Sequence, residues 1–365
     1  MRIEAAVLRH HDAPFEIETV ELAHPTGGQL RVRIAGVGFC HTDVLPRDPS
    51  FLAQPPIVVG HEGAGVVEEV GAGVTGIEVG DHVLLSFDSC GLCENCAGGH
   101  PAYCFAFFAR NLSGRNPDGP GPLTDLNGNA LASRWFGQSS LATHAVVSAR
   151  NVVVVDKDLP LHLLGPLGCG IQTGAGSALI ALKVGTGDTF AVFGAGAVGL
   201  SAVMAARVAG ASRIIAVDLH ANRLDLALEL GATDVIEGSA DDIARQIRKL
   251  TGGGVHAALD TTGTPQVIAS AIDSLRPTGT VGLVGAATRE LVLAPAALAA
   301  GKNIMGILEG DAVPQLLLPR LIELWRQDRF PFDRLIRTYP LAEITAAEAD
   351  AASGATIKPV LLPHP

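Results

Sequence analysis

Positive charge is scarce in this sequence of 365 residues. Lys and Arg number 26 against 37 Asp and Glu, which gives a net charge of -11 at pH 7. Such an acidic chain disfavours nucleic acids and anionic membranes as partners. Aromatic residues are also few, at 4%, so a pocket lined with aliphatic side chains fits the composition as well as an aromatic cage does. The length allows two domains, each with its own core.

A long uninterrupted apolar segment is missing too. The nearest approach, residues 190–206, has glycines spaced as G-x-G-x-x-G and ends at Arg207, which favours a buried strand, turn and helix over a membrane span. The start, MRIEAAVLRHHDAP, lacks the apolar core and the cleavage site of a signal peptide. We therefore expect a soluble cytoplasmic protein with reduced cysteines.

Only six cysteines are present, and all of them can be assigned to two zinc sites of different kinds. Four form a compact C-x2-C-x2-C-x7-C cluster: Cys90, Cys93, Cys96 and Cys104. Four thiolates complete the tetrahedral coordination of zinc, so this cluster predicts a structural site. A disulfide framework is the alternative. Reduced thiols and the close spacing of the first three cysteines favour a single metal ion instead.

The other two cysteines lie far apart in the sequence and predict an open site. Cys40 lies in GFCHTD and Cys169 in GPLGCG, which leaves room for His61, in GHEGAG, as a third ligand. Three protein ligands leave the fourth position of a tetrahedral zinc ion open to water or substrate. This second site is therefore a candidate for catalysis.

Three regions of the chain differ in their pattern. Residues 1–150 contain short strand patterns separated by Gly and Pro turns, which predict a mostly β domain. Within it, residues 105–134 are rich in Gly, Pro and Asn and predict a long surface loop. From about residue 187, apolar strands alternate with helical segments, as in a doubly wound parallel sheet. The predicted strands are residues 189–193, 213–218, 234–236, 257–260, 280–284 and 303–308, and the predicted helices are residues 198–209, 221–230 and 241–250. The C-terminal residues are expected to return to the first domain.

A glycine-rich motif predicts a dinucleotide site in the second domain. Gly194, Gly196 and Gly199 form G-x-G-x-x-G between a predicted strand and a predicted helix. The glycines permit a tight turn, close approach of the backbone to a pyrophosphate, and close packing of helix on sheet. Asp218 closes the next strand, where its carboxylate would bind the adenosine ribose and repel a 2'-phosphate. The pattern therefore favours NAD over NADP.

These motifs, in this order, resemble the zinc-dependent medium-chain alcohol dehydrogenases. FGQSSLATHAVV, GCGIQTGAGSAL, EGDAVPQ and FPFDRLI are similar to the aryl-alcohol (benzyl-alcohol) dehydrogenase branch. The resemblance implies an α/β protein with a GroES-like, mostly β catalytic domain (residues 1–170 and 309–365, with a structural zinc lobe at 88–106) and a Rossmann NAD-binding domain (residues 171–308). It also implies an active site between the domains, two zinc ions and NAD per chain, and a homo-oligomer, either dimer or tetramer.

The resemblance also assigns roles residue by residue. At the catalytic zinc it gives Cys40, His61 and Cys169 as ligands, Glu62 as a nearby carboxylate, Asp43 as the acid that orients His61, and Thr42 as the hydroxyl that binds the substrate oxygen. For the cofactor it gives His41 and Lys358 at the pyrophosphate, Arg223 at the adenosine ribose, Thr173 and Val198 at the nicotinamide, and the backbone of Val284 at its carboxamide. From residue type alone, Thr42 could instead cap a helix, Glu62 could be a surface acid, and Lys358 and Arg223 could be solvated.

The implied reaction is reversible hydride transfer from a primary, aromatic or allylic alcohol to NAD, which gives an aldehyde. A related dehydrogenase for aliphatic alcohols, a zinc-independent quinone or enone reductase, and a non-catalytic NAD- and zinc-binding protein are alternatives. The complete ligand set disfavours the reductase, and Thr42 beside that set disfavours the binding protein. We assign the neighbouring Phe105, Phe107 and Phe108 to packing rather than to substrate recognition.

Leu45 lies five residues after the first cysteine ligand, where many family members have a histidine that passes the alcohol proton to solvent. Leucine cannot transfer a proton, so we predict that the kcat for alcohol oxidation lacks the titration of such a histidine. The pH profiles of the wild type and of Leu45→His would check this. A wild-type profile that already titrates near pH 6.5, the ordinary pKa of histidine, and that Leu45→His leaves unchanged would contradict it. A featureless profile in both proteins would show that proton exit does not limit the rate.

Overall fold

The structure is a computed structural model that describes residues 1–116, 119–286 and 289–364 and divides into two compact units. The first unit consists of Met1–Cys169, Val313–Pro319 and Asp333–Pro365, and the second of Gly170–Ala312 and Arg320–Phe332. The first is mostly β and the second is built on a parallel sheet, so the predicted α/β class is confirmed.

Two β-sheets form the first unit. The four-stranded sheet has the order Ile57–Val58, Arg2–Leu8, Phe15–Leu22 and Leu123–Thr124. The seven-stranded sheet has the order Ile336–Pro340, Lys358–Leu362, Gln29–Gly38, Glu62–Val70, His82–Leu85 and Val152–Val155, and His144–Ser148 also pairs with Gln29–Gly38. Its α-helices are Glu94–Ala97, Phe107–Asn111, Leu161–Leu164 and Ile344–Ser353.

The pairing of two strands in the larger sheet positions the open metal site. Strand Gln29–Gly38 alternates buried and half-buried residues, as expected for a strand with one face on the core. It pairs antiparallel with Glu62–Val70, with Gly38 opposite Glu62. The end of one strand therefore lies beside the start of the other. Cys40 and His61, which flank this pair of ends in sequence, are brought together as a result.

The predicted surface loop at residues 105–134 is only partly a loop. It contains the helix Phe107–Asn111 and a short strand, and Leu123 and Leu131 lie in a buried cluster with Val58. These leucines lose water-exposed apolar area by packing on the four-stranded sheet, and the turn-rich composition did not reveal this. Pro117 and Asp118, within the same stretch, lie outside the described residues.

The three phenylalanines of this stretch differ in their burial. Phe107 is buried and its ring lies edge-on to that of Phe136, so its assignment to packing is confirmed. Phe105 and Phe108 are 73% and 59% exposed. For Phe105 the prediction of packing was wrong. The ring of Phe108 still lies edge-on to that of Phe107, with centroids 5.7 Å apart, so Phe108 packs in part as predicted.

The second unit has a six-stranded sheet in which every pair of neighbours is parallel. Its order is Asp234–Glu237, Arg213–Asp218, Thr189–Phe193, Val255–Asp260, Leu275–Leu283 and Asn303–Gly306. This is the order of a doubly wound dinucleotide-binding sheet. All six strands were predicted, and the strand Thr189–Phe193 lies at the point where the winding reverses.

Helices cover this sheet and bury an apolar core that includes Phe193, Ile215, Val217, Ile247 and Ile272. The helices are Gly170–Gly176, Ala197–Ala209, Ala221–Leu230, Ile243–Thr251 and Pro265–Ser274. The sequence patterns predicted the second, third and fourth of these and missed the first and last. One further helix, Pro314–Arg326, is divided between the two units.

The return of the chain to the first unit differs from the predicted boundary at residue 309. Residues 309–312 and 320–332 belong to the second unit. Within that unit the side chain of Glu309 accepts a hydrogen bond from Gln172 at 3.0 Å, and the rings of Trp325 and Phe332 lie 5.6 Å apart. The contact with Gln172 ties residues 309–312 to the rest of the second unit. The chain crosses between the units three times in this region rather than once.

Residues 190–206 form a strand and the start of a helix, as predicted, joined by the glycine turn. No single helix among the described residues is long and apolar enough to cross a membrane. One bent pair, Leu161–Gly168 with Gly170–Ala181, passes a test of length and apolarity alone.

Candidate metal centres and dinucleotide site

A fully buried carboxylate organises the open metal site. Oδ1 of Asp43 accepts hydrogen bonds from Nδ1 of His61 at 2.8 Å, the backbone N–H of Gly60 at 3.0 Å and Nε1 of Trp135 at 3.1 Å. Oδ2 accepts the backbone N–H of Cys40 at 3.1 Å. Because Nδ1 of His61 donates to Asp43, Nε2 is the nitrogen left to bind a metal.

Cys40, His61 and Glu62 each bring one ligand atom within 4.8 Å of the others. Cys169 joins them: its thiol contacts Cys40, and this contact is the largest cause of a Cys40 pKa well below its usual range. Burial is the largest single effect and lowers the pKa of His61, but the charge and hydrogen bond of Asp43, together with Cys40, raise the pKa well above its usual value.

The residues present fit a zinc ion. Nε2 of His61 is buried and has no hydrogen-bond partner within the part of the chain that the structure describes, which is costly unless a ligand occupies it. Cys40 is poised as a thiolate, the form that binds metals. Cys40, His61 and Cys169 would therefore hold the ion, as the sequence predicted.

Glu62 and Lys358 form a buried ion pair at this site. Nζ of Lys358 donates to Oε1 of Glu62 at 2.8 Å and to the carbonyl oxygen of Phe39 at 3.3 Å. Burial lowers the pKa of Lys358, but the carboxylate of Glu62 and then Cys40 outweigh burial and raise it. Burial raises the pKa of Glu62. Glu62 is thus not a surface acid and Lys358 is not solvated. The resemblance placed Lys358 at the pyrophosphate, but its ammonium group lies inside the protein beside the metal site.

Three site residues escaped the sequence analysis. Trp135 is the fourth donor to Asp43, and the ring of Phe136 stacks on His61 with centroids 4.5 Å apart. The side-chain amide of Gln138 donates to the carbonyl oxygen of His61 at 2.9 Å. The motif FGQSSL, which contains two of them, was visible in the sequence. Nothing local in it indicates a contact with residue 61, more than seventy positions away.

The short 3-10 helix His41–Arg47 carries the remaining residues assigned to this site. Cys40, not Thr42, occupies the N-cap position, so the capping role considered for Thr42 is wrong. Oγ1 of Thr42 lies 3.6 Å from Sγ of Cys40, at the edge of the metal site. His41 is exposed and Leu45 is half-buried. A contact of His41 with pyrophosphate stays a prediction.

The four remaining cysteines converge on one point, as predicted. Their sulfur atoms all lie within 4.8 Å of one another, with 3.9 Å between Cys90 and Cys96 and 3.5 Å between Cys93 and Cys96. A disulfide has its sulfurs about 2 Å apart, whereas tetrahedral zinc with bonds of about 2.3 Å separates them by about 3.8 Å. The geometry therefore fits a closed zinc site and excludes the disulfide alternative.

The thiols of this cluster differ in acidity. Backbone N–H groups, that of Phe105 first, lower the pKa of Cys93 to about 6. Burial raises the pKa of Cys96 to about 12. Four thiolates in this volume repel one another, so only a cation at the centre makes all four ionise together.

A pocket of about 550 Å³ lies at the carboxyl ends of the parallel strands in the second unit. Gly194, Gly196 and Asp218 line it, as the fingerprint predicted, together with Arg223, which the resemblance placed at the adenosine ribose. Gly194 has a φ of +96°, a conformation that favours glycine. Residues that the sequence analysis missed also line the pocket: Leu219, His220, Ile243, Thr261, Thr262 and Val267. The apolar members of this set suit an adenine ring.

Asp218 contacts both the glycine turn and Arg223 at this pocket. Its Oδ2 accepts the backbone N–H of Ala195, inside the glycine turn, at 2.6 Å, and Nη1 of Arg223 lies 3.8 Å from the same oxygen. Arg223 is therefore not simply solvated. Its guanidinium points to the carboxylate that would bind the ribose.

The residues assigned to the nicotinamide also lie in the second unit. Thr173 and Val198 belong to two helices in close contact, since a Cβ atom on Gly174 would lie 2.0 Å from the carbonyl oxygen of Val198. Val284 follows the fifth strand and its N–H donates to the carbonyl oxygen of Asp260 at 3.0 Å. Their contacts with the cofactor stay predictions.

Comparison with known proteins shows the family to which the chain belongs. Residues 26–157 match the alcohol dehydrogenase GroES-like domain, and residues 197–324 match the zinc-binding dehydrogenase family. A geraniol dehydrogenase of Castellaniella defragrans is 46% identical over 98% of this chain and 97% of that protein.

Two crystal structures are similar over nearly the full chain. An alcohol dehydrogenase zinc-binding domain protein from Burkholderia ambifaria has a TM-score of 0.97 and 50% identity, with 100% of both chains covered. A benzyl alcohol dehydrogenase from Acinetobacter calcoaceticus has a TM-score of 0.95 and 43% identity, with 99% of both covered.

Two glycines of the fingerprint provide a matched pair of substitutions. A Cβ atom on Gly199 would lie 1.8 Å from the carbonyl oxygen of Gly194, whereas one on Gly196 would meet no described heavy atom within 4 Å. We predict that Gly199→Ala lowers the free energy of unfolding by about 1–3 kcal/mol, the usual cost of overpacking. Gly196→Ala should leave stability unchanged and weaken dinucleotide binding, because its methyl group occupies the space for the pyrophosphate. Urea unfolding and titration with NAD would check both. Equal destabilisation by the two would contradict the prediction.

Proposed function

The chain belongs to the zinc-dependent medium-chain alcohol dehydrogenases, and we propose that it oxidises primary alcohols activated by an adjacent ring or double bond, with NAD as the hydride acceptor. The observation that supports catalysis most is the set of convergent ligand atoms around His61, whose Nε2 is left for a metal by the hydrogen bond to Asp43. When bound, zinc supplies Lewis acidity to the alcohol oxygen and NAD accepts the hydride.

The protein's own residues orient the substrate and manage its proton. The hydroxyl group of Thr42, at the edge of the ligand set, would accept the hydrogen bond of the substrate hydroxyl at Oγ1. Leu45, on the same short helix, would offer no further step for that proton. Lys358 neutralises Glu62, so the residues that would hold the metal lie beside an ion pair rather than a lone carboxylate. Phe136, stacked on His61, would exclude water from that side of the ligand.

The substrate class rests on the names of two similar proteins. Geraniol, the substrate named for the relative from Castellaniella, is an allylic alcohol, and benzyl alcohol, named for that from Acinetobacter, is benzylic. In both, the carbon that loses hydride adjoins a π-system that stabilises the developing carbonyl. This shared chemistry supports an activated primary alcohol, and a dehydrogenase for aliphatic alcohols is the alternative.

The cofactor proposal rests on Asp218. Its carboxylate lines the dinucleotide pocket and carries a negative charge that would repel a 2'-phosphate. Arg223 lies against this carboxylate and offsets part of that charge. The expected dimer or tetramer and the cytoplasmic location stay predictions, and light scattering of the purified protein would check the first.

A panel of alcohols with NAD tests the substrate. We predict that benzyl, cinnamyl and geranyl alcohols have a higher kcat/KM than aliphatic primary alcohols of the same length. Higher values for short aliphatic alcohols would contradict the substrate class and leave the family assignment intact. Two zinc ions per chain without turnover of any alcohol would favour a non-catalytic protein. As matched controls, Thr42→Ser retains the hydroxyl and should retain activity, whereas Thr42→Val should lose about 100-fold or more in kcat.

Removal of the negative charge of Asp218 tests the proposed preference for NAD over NADP. We predict that Asp218→Asn narrows the preference for NAD over NADP by about tenfold, because the amide no longer repels a 2'-phosphate. The side-chain oxygen of asparagine can still accept the N–H of Ala195, which keeps the glycine turn, while its NH2 group replaces the oxygen that accepts the N–H of His220 at 2.9 Å. Asp225→Asn, which removes an exposed charge from the following helix, serves as the control. The measurement is kcat/KM with each cofactor, and an unchanged ratio in Asp218→Asn would contradict the role of this carboxylate.

A further inference from the structure

The side chain of Gln138 is buried among the segments that carry the open metal site. It is 1% exposed and makes four hydrogen bonds. Its Nε2 donates to the carbonyl oxygens of His61 at 2.9 Å and Ser86 at 3.0 Å. Its Oε1 accepts the backbone N–H of Gly63 at 3.3 Å and the hydroxyl group of Ser140 at 3.1 Å. The two donors of the amide and two lone pairs of its oxygen are therefore all used.

This amide joins two strands at the point where their backbone pairing ends. Strands Glu62–Val70 and His82–Leu85 are antiparallel neighbours, and the pair of their register nearest the metal site is Ala64 opposite Leu84. The amide of Gln138 lies just beyond this pair, where it binds the first strand and the residues that flank the two strands. It supplies the hydrogen bonds that a further backbone pair would make. A side chain thus fixes the separation of the two strand ends.

Ser86 connects this amide to the segment that carries the third metal ligand. The hydroxyl group of Ser86 donates to the carbonyl oxygen of Gly168 at 2.7 Å. A Cβ atom on Gly168 would lie 2.0 Å from the carbonyl oxygen of Leu85, so the two backbones are in direct contact here. Cys169 is the next residue. Two consecutive hydrogen bonds through Ser86 therefore connect Gln138 with the backbone beside Cys169.

The backbone around Gln138 has an unusual conformation. Phe136 and Ser139 have φ angles of +49° and +51°, and Gly137 has one of +68°. Left-handed conformations are rare for residues other than glycine, and they cost free energy that the surrounding contacts must offset. The hydrogen bonds of the Gln138 side chain and the stacking of Phe136 on His61 are such contacts. Backbone strain of this kind is found most often at functional sites.

We propose that Gln138 is a positioning residue for the open metal site and sets the separation of His61 and Cys169. It acts on the backbone of His61 directly and on the segment of Cys169 through Ser86. Asp43 instead fixes the ring of His61, so the two side chains have different tasks. The inference rests on the proposed zinc site, which needs its nitrogen and sulfur ligands at about 2.0 and 2.3 Å. A displaced ligand segment therefore weakens metal binding.

The zinc affinity of the full protein tests this role. Competition with the chelator dipicolinate, followed by counting of zinc per chain, compares the open site with the closed four-cysteine cluster of the same molecule. We expect Gln138→Leu, which removes all four hydrogen bonds, to lower the affinity of the open site about tenfold or more. Gln138→Glu keeps the acceptors, loses the donors to His61 and Ser86, and should also lower it. Cobalt(II) in the open site should show shifted absorption bands in both variants, because these bands report ligand geometry.

Asn111→Leu is the matched control. Asn111 is another fully buried amide of the first unit, and it binds the backbone of Asp88 and the carbonyl oxygen of Phe107. Its replacement also removes buried hydrogen bonds, so urea unfolding should show a loss of stability comparable to that of Gln138→Leu. The zinc affinity and the cobalt spectrum of its open site should equal those of the wild type.

Unchanged zinc affinity and an unchanged cobalt spectrum in folded Gln138→Leu would overturn the proposal. An equal loss of affinity in Asn111→Leu would overturn it too, because general destabilisation would then account for the effect. If Gln138→Leu does not fold, Ser86→Ala decides, since it removes only the hydroxyl group that binds Gly168. Lower affinity in Ser86→Ala supports the connection to Cys169, and wild-type affinity contradicts it. A wild type that binds zinc at the four-cysteine cluster alone would contradict the proposed function, and this inference with it.

Discussion

The open metal site depends on the hydrogen bonds that the buried carboxylate of Asp43 accepts. It accepts four hydrogen bonds from three separated parts of the chain, around residues 40, 60 and 135. Those bonds offset the cost of removing the charge from water. In return, the carboxylate fixes the ring of His61, the backbone at Cys40 and the position of Trp135. A metal site assembled from distant segments is thereby held in place by a single side chain.

The sheet around this carboxylate is shaped to leave room for the site. A Cβ atom on Gly38 would lie 2.0 Å from Oε2 of Glu62, its partner in the neighbouring strand. Glycine at residue 38 therefore allows the Glu62 carboxylate to lie inside the protein, where Lys358 reaches it from the C-terminal strand. The adjacent strand ends, the absence of a side chain at Gly38 and the buried Lys358 belong to one arrangement. In it, the carboxylate of Glu62 and the ammonium group of Lys358 offset each other's charge within the first unit.

The parts of the molecule that could be predicted are those whose residues lie close in sequence. The sulfur atoms of Cys90, Cys93, Cys96 and Cys104 converge as their spacing predicted, and the fingerprint from Gly194 to Gly199 needs only a strand and a helix on either side. The packing of Leu123 and Leu131, the ion pair of Lys358 with Glu62, and the contact of Gln138 with His61 join distant segments. Nothing in the local pattern indicates such partners. The return of the chain near residue 309 was misplaced for the same reason, because the contact of Glu309 with Gln172 joins residues that are distant in sequence.

Asp218 has two roles in the dinucleotide pocket. The carboxylate that faces the ribose position also accepts the N–H of Ala195 and so holds the glycine turn. In evolutionary terms, two selective pressures act on one side chain. A lineage that evolves towards a 2'-phosphorylated cofactor such as NADP could not simply replace Asp218, since the backbone N–H of Ala195 in the glycine turn would lose its hydrogen-bond acceptor. Adaptation would have to begin at neighbouring positions such as Leu219 and His220, which line the same pocket.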